Sequence, residues 1–457
     1  MSKISAAALG TQPIGPLLVK QAVPASIGIL VMSLNVLVDS IFVGNWIGAL
    51  GIAAINVVLP VSFFIAALGM AIGIGGSSII SRALGAGDTE KAFTTFGNQI
   101  ALTVLITLFM VSLGLYFIEG IIPAFGGQGQ IYPLAKTYYT IVLYGVPFLA
   151  ITMMGNTVIR AEGKPKFAMM AMIITSVGNL FMDYVFIYVF DWGMAGAAWA
   201  TTGSYLLCFP YILYFFLSKN ASLKPRFKHF IFKKTIVSEI GALGFVTLAR
   251  QAATSITYLI MNSLLFSMGG EALVAVYAIV GRMLMFALFP VFGVTQGFLP
   301  IAGFNYGAGN MQRVRESINT AILYASALAT LVFIGLMVFP ESITALFLSS
   351  KNANPETRIL NAYVLENTPA AMRWVFAATP IIALQLIGAA YFQAAGKAIP
   401  ALLLTLSRQA LLFIPLVFLL PMWLGTIGVW LAFPVSDVLA TLITGYFLRR
   451  EIKRFFS

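Results

Sequence analysis

Residues 53–81 read AAINVVLPVSFFIAALGMAIGIGGSSIIS, a run without one charged side chain. A helix that crosses the hydrocarbon core of a bilayer needs about 20 mostly apolar residues, and this run is long enough. It is continuously apolar rather than alternating. That argues against a strand, and an open sheet has no place in lipid, where its edge groups find no partners. Working outward, eleven further runs of this kind lie near 17–43, 93–117, 134–159, 167–190, 194–218, 239–266, 273–302, 317–339, 370–395, 399–420 and 426–448. The sequence therefore predicts an all-α integral membrane protein with twelve transmembrane helices.

The composition agrees. Of 457 residues, 60% are hydrophobic and only 9% charged, with a mean hydropathy of +0.94. A soluble domain carries roughly 25% charged residues, so too little charge is present here to coat a water-facing surface. Soluble, disordered and disulfide-scaffold classes are excluded. The single cysteine and single histidine leave no disulfide and no Cys/His metal site, and no nucleophile pair unless Cys208 and His229 meet. There is no GxxxxGK[ST] phosphate loop, no HExxH and no paired Asp-rich motif. Gly73, Gly75 and Gly76 lie inside a span and read as close helix packing. No enzyme and no organic cofactor are expected.

The net charge of +12 is a matter of placement. With the N-terminus set in the cytoplasm, twenty Lys and Arg fall on inside segments: Lys3, Lys20, Arg82, Lys91, Arg160, Lys164, Lys166, Lys219, Lys224, Arg226, Lys228, Lys233, Lys234, Arg313, Arg315, Lys397, Arg449, Arg450, Lys453 and Arg454. Only Lys136, Lys351, Arg358 and Arg373 fall outside, while Arg250, Arg282 and Arg408 lie within spans. The positive-inside bias then places both termini in the cytoplasm of a multi-pass cell-membrane protein. No nucleic-acid partner is implied. The N-terminus shows no signal peptide.

The chain repeats itself. Gly48 and Gly270, Gly75 and Gly297, and Gly87 and Gly309 share one offset of 222; Gly163 matches Gly396 at 233, and Gly193 matches Gly425 at 232. Near-constant offsets over this length mean duplication. Two pseudo-symmetric six-helix bundles are expected: an N-terminal lobe over 1–218, a cytoplasmic linker over 219–238 and a C-terminal lobe over 239–457. Six spans per half gives both halves the same orientation, as in one class of transporter repeat that works by alternating access around a central site.

An ionised side chain inside a span costs about 2.5–3.5 kcal/mol on insertion scales and is a functional candidate by default. Three acids lie well inside: Asp39, Asp183 and Asp437. Asn35-x-x-x-Asp39 on the first span and Asn179-x-x-x-Asp183 on the fifth each place an amide and an acid on one helix face. Both acids fall towards the outer end of their spans, as do Tyr139 and Thr201. Carboxylates, amides and hydroxyls at one depth suit either an oxygen-lined cation site or a carboxylate that loads and releases a proton. At the corresponding offsets the second half has Met261 and Leu416, so ion coupling belongs to the first half. Asp437 is expected to neutralise Arg250 or Arg282, or to face substrate. Gln251 and Gln296 are polar groups on the seventh and eighth spans, and Arg408 lacks an evident partner. Pro24 permits a kink in the first span. The stretch from Ser349 to Asn367 is polar and carries no functional reading.

Val38-Asp39-Ser40-Ile41-Phe42-Val43-Gly44, Arg160-Ala161-Glu162-Gly163-Lys164-Pro165, Asn179-Leu180-Phe181-Met182-Asp183, the run GMAGAAWA from Gly193 to Ala200, and Gln296-Gly297 with Pro300 and Asn305-Tyr306-Gly307-Ala308 resemble the multidrug and toxic compound extrusion family. The likeness, to the prokaryotic branch with DNA-damage-inducible and multidrug-export members, runs from about Lys20 to Phe447. It implies a V-shaped pair of bundles. It also implies export of bulky, often cationic, drug-like compounds in exchange for H+ or Na+, with the bilayer as surroundings and a monomer as the working unit. The family's coupling residues fall on Asp39, Asn179, Asp183 and Thr201, which would also hold Na+. Its fourth-helix Tyr and Asn fall on Tyr139 and Asn156, and its hinge proline on Pro24. The same architecture would also serve a flippase for a lipid-linked saccharide or lipid, whose diphosphate would call for a cationic cavity near Arg250, Arg282 and Arg408.

Overall fold

The structure, a computed structural model, describes residues 7–347 and 355–455, and among these there is no strand. Among the described residues, eleven helices are long and apolar enough to cross a membrane. The longest, Lys234–Gly307, has 74 residues. As one straight rod it would reach roughly 110 Å, far beyond a hydrocarbon core of about 30 Å. It is two spans: Gly269 and Gly270 leave helical geometry, with Gly270 at φ 63°. Twelve spans result, as the sequence predicts.

The first six spans are Ile14–Trp46, Ala49–Gly85, Thr89–Tyr116, Ile131–Ala161, Pro165–Asp183 continued by a π-helical stretch Tyr184–Val189, and Gly193–Leu217. Beyond the two parts of Lys234–Gly307 come Met311–Val338, Pro355–Val375 leading into Ile382–Ala394, and Ala398–Leu406 continued by a π-helical Ser407–Leu411 and by Phe413–Leu419. Pro421–Lys453 is the last.

The repeated glycines are the corners between spans. Gly48 and Gly270 have φ 90° and 63°, Gly87 and Gly309 77° and 71°, Gly163 and Gly396 74° and 80°, Gly193 and Gly425 54° and 57°. These left-handed values put a Cβ too close to the following carbonyl oxygen, so glycine takes the position. After Gly87, the Asp88 side chain caps the third span by accepting from the Lys91 amide at 2.9 Å. Inside the second span, glycine serves close approach instead. A Cβ on Gly73 would lie 2.9 Å from Met154 Cα, and one on Gly75 would overlap the Ile240 carbonyl.

By packing, the chain forms two compact units. The first runs up to Leu248 and takes in Leu299–Asn310 and Ala394–Gly396; the second comprises Ala249–Phe298, Met311–Gln393 and the stretch from Lys397 onward. The first has a core of Val43, Val58, Ile65, Val142, Val146 and Ile187 with their neighbours; the second is centred on Met261, Val276, Met372, Val417 and Val429.

Two elements differ from the sequence reading. Residues 349–354 of the polar stretch lie outside the described residues, but from Pro355 the chain is helical, well before position 370. A helix supported on one side by Pro340–Phe347, with Arg373 Nη2 donating to Glu341 at 2.8 Å, tolerates polar residues that a lipid-facing run would not. The linker is also shorter than its expected span, because helix resumes at Lys234.

Candidate functional site

The first and fifth spans pack along one another. Asn35 Nδ2 donates to Asn179 Oδ1 at 2.8 Å and to the Ser176 carbonyl at 3.3 Å. This cross-span bond fixes the register, and one turn further along each helix come Asp39 and Asp183. The two carboxyls are close enough to interact directly. Asp183 is fully buried, and neither of its oxygens meets a donor in hydrogen-bond geometry. Among the described residues no lysine or arginine forms an ion pair with either acid. Two carboxylates facing each other away from water repel unless a proton or a cation sits between them.

Immediately after Asp183 the helix loosens into the π-helical Tyr184–Val189. Such a turn accommodates an extra residue and recurs at functional sites. Thr201 on the sixth span donates to the Ala197 carbonyl at 3.1 Å, so the Tyr138 hydroxyl, 3.4 Å away, is the donor to Thr201 Oγ1. Tyr138 lies within electrostatic reach of both acids, and Tyr205 within reach of Asp39. The structure thus gathers Asn35, Asp39, Asn179, Asp183 and Thr201 in one place.

It does not bring Tyr139 there. One residue further round the helix, Tyr139 is buried instead against Gly114 of the third span, its hydroxyl without a partner. Tyr138 occupies the place expected of it. The signal lay in Tyr138 and Gly145, two turns apart and so on one face, with Gly145 packed on Thr202 of the sixth span. Asn156 is committed elsewhere: its amide donates to the Ala168 carbonyl at 2.6 Å and its oxygen accepts from Arg160 Nε at 3.0 Å, tying the fourth span to the fifth. Pro24 is buried within the unbroken helix Ile14–Trp46. Cys208 and His229 do not meet: Cys208 Sγ bonds the Ala171 carbonyl, whereas His229 faces Glu90.

In the second unit Asp437 is held by neither Arg250 nor Arg282. Its partner is Arg408, whose Nε donates to Asp437 Oδ1 at 2.7 Å. Arg408 sits in the π-helical Ser407–Leu411, which turns it towards the last span. Arg250 lies over the Phe292 ring, 5.9 Å from its centre, while Arg282 and Gln251 are exposed and Gln296 is half-buried. No hydrogen bond or ion pair joins Gln251, Arg282, Gln296 and Asp437 to one another.

The model of one family, MatE, matches residues 24–185 and 247–419, both halves of the duplication. The chain belongs to the MatE family. It is accordingly a membrane transporter and not an enzyme. It is 24% identical over 423 residues to the multidrug export protein MepA of Staphylococcus haemolyticus, covering 92% of this chain and 90% of that protein. It is equally 24% identical over 443 residues to an FAD transporter of Shewanella oneidensis, covering 96% and 95%. Among solved structures, the outward-facing form of a multidrug resistance MATE family transporter superposes with a TM-score of 0.90 at 26% identity, covering 98% of each chain. MATE transporters of this kind have twelve helices in two bundles, the fold described above.

Proposed function

We propose that this MATE transporter is a secondary antiporter that exports amphipathic, drug-like compounds in exchange for an inward-moving cation bound between Asp39 and Asp183. The observation that carries this is the acid pair itself, the buried Asp183 beside the half-buried Asp39, with no lysine or arginine paired to either among the described residues. Such a pair is one positive charge short, and supplying it changes the local charge by a full unit. That is enough to bias two states of a first span that contains Pro24.

The proton fits better than Na+. A sodium site would draw on the oxygens of Asn179 and Thr201, but the first already accepts from Asn35 and the second is engaged with Ala197 and Tyr138. A proton needs the two carboxyls alone. Drug-like cargo follows the MepA relative. The flippase reading loses support because Arg408, one of its three cations, is neutralised by Asp437. The basic ends of the spans face the cytoplasm in this scheme.

In proteoliposomes, ethidium efflux should follow an imposed pH gradient and ignore a sodium gradient. Asp39→Asn and Asp183→Asn should each reduce gradient-driven efflux at least tenfold. Coupled transport that survives both substitutions undiminished removes the mechanism, and a response to sodium alone moves the coupling ion from H+ to Na+.

A further inference from the structure

The segment joining the sixth and seventh spans contains Lys219, Lys224, Arg226, Lys228, Lys233 and Lys234 and no acidic residue. Positive-inside topology accounts for the charge but not for what the structure adds. The segment is not a slack tether. Both carboxylate oxygens of Glu162 accept backbone amides, Ser222 at 2.8 Å and Leu223 at 3.0 Å. Asn98 on the third span donates to the carbonyls of His229 and Ile231, at 2.9 and 3.0 Å, and accepts from the Lys233 amide at 2.9 Å. His229 is buried, its Nδ1 accepting the Arg226 amide at 2.7 Å and its Nε2 lying 3.2 Å from Glu90. Gly97 leaves no room for a Cβ beneath the His229 carbonyl.

With the inner side pinned this firmly, the outer side is held outward. Phe227 is 95% exposed and Ile231 70%, with Phe230 and Phe232 also exposed between the basic residues. The segment begins after Leu217 and ends at Lys234, the ends of two membrane spans, so it lies at the bilayer surface. Aromatic rings interleaved with lysine and arginine suit that interface: the rings enter the headgroup region while the cations meet anionic phosphates.

We propose that this face docks on the anionic phospholipid headgroups of its own leaflet, with Phe227 inserted and Lys224, Lys233 and Lys234 as the charge-reading contacts. The proposal depends neither on antiport nor on which side the segment faces. The test uses nanodiscs, in which both membrane faces are open to solution.

A Phe227→Cys variant in a Cys208→Ser background, carrying a bimane label, is compared in discs of phosphatidylcholine and of phosphatidylcholine with phosphatidylglycerol. The mixed discs should shield the label from iodide at least about twofold more and bring it within quenching range of brominated acyl chains; high salt should reverse both effects. Lys224→Gln, Lys233→Gln and Lys234→Gln together should abolish the difference; these side chains are exposed, so the fold is retained. Equal iodide access in the two discs overturns the proposal. So does phosphatidylglycerol-dependent shielding that persists in high salt and in the triple glutamine variant.

Discussion

At the scale of single residues, the membrane makes acids conspicuous and their partners obscure. Asp39 and Asp183 stood out in sequence because a carboxylate in a span is costly, and the shared Asn-x-x-x-Asp spacing tied them together. Tyr138 was not separable from Tyr139 by composition, since only the helical phase decides which ring faces the sixth span. The partner of Asp437 was harder still. Arg408 lies 29 positions away in a π-helical stretch, and a π turn shifts every following residue off the regular helical wheel. That ion pair is largely buried, which makes its halves unequal to its whole. Asp437→Asn should cost about 3–5 kcal/mol by leaving Arg408 uncompensated. Arg408→Met with Asp437→Leu should recover most of the loss. Thermal melts in detergent decide it: a double variant no more stable than Asp437→Asn contradicts the pairing.

Among elements, helices were legible and their junctions only where glycine marked them. The run lengths give the spans, and the fixed offsets give corners that prove to be left-handed. The docking of the linker was invisible, because it depends on Glu162, Asn98 and Glu90, which are remote in sequence. Glu162 also gives that docking a pH dependence. Burial, outweighing its two amide donors and nearby Lys164, pushes its carboxyl from 4.5 up to about 7. A carboxyl that holds its proton more tightly when folded contributes most below pH 4.5 and loses that contribution as pH rises through about 7. The melting temperature should therefore fall between pH 5 and pH 8, by an amount worth at most about 3 kcal/mol. Glu162→Gln should flatten this slope; the same slope in the variant would assign it to another group.

For the molecule as a whole, the proposed coupling site sets stability against function. Two like acids confined together burden the folded state, and natural proteins carry such burdens where activity requires them. Replacing both with asparagine should therefore raise the melting temperature by a few degrees, of order 1–2 kcal/mol, while abolishing coupled efflux. A clear drop in melting temperature would mean that the acids serve as structural struts.

The matched left-handed corners say something about descent. Four pairs of glycines at near-constant spacing point to an ancestor of about half this length. Met261 and Leu416 stand at the positions that correspond to Asp39 and Asp183, and Asp437 is tied to an arginine. Both halves keep the geometry of the corners, and only the first keeps the pair of acids.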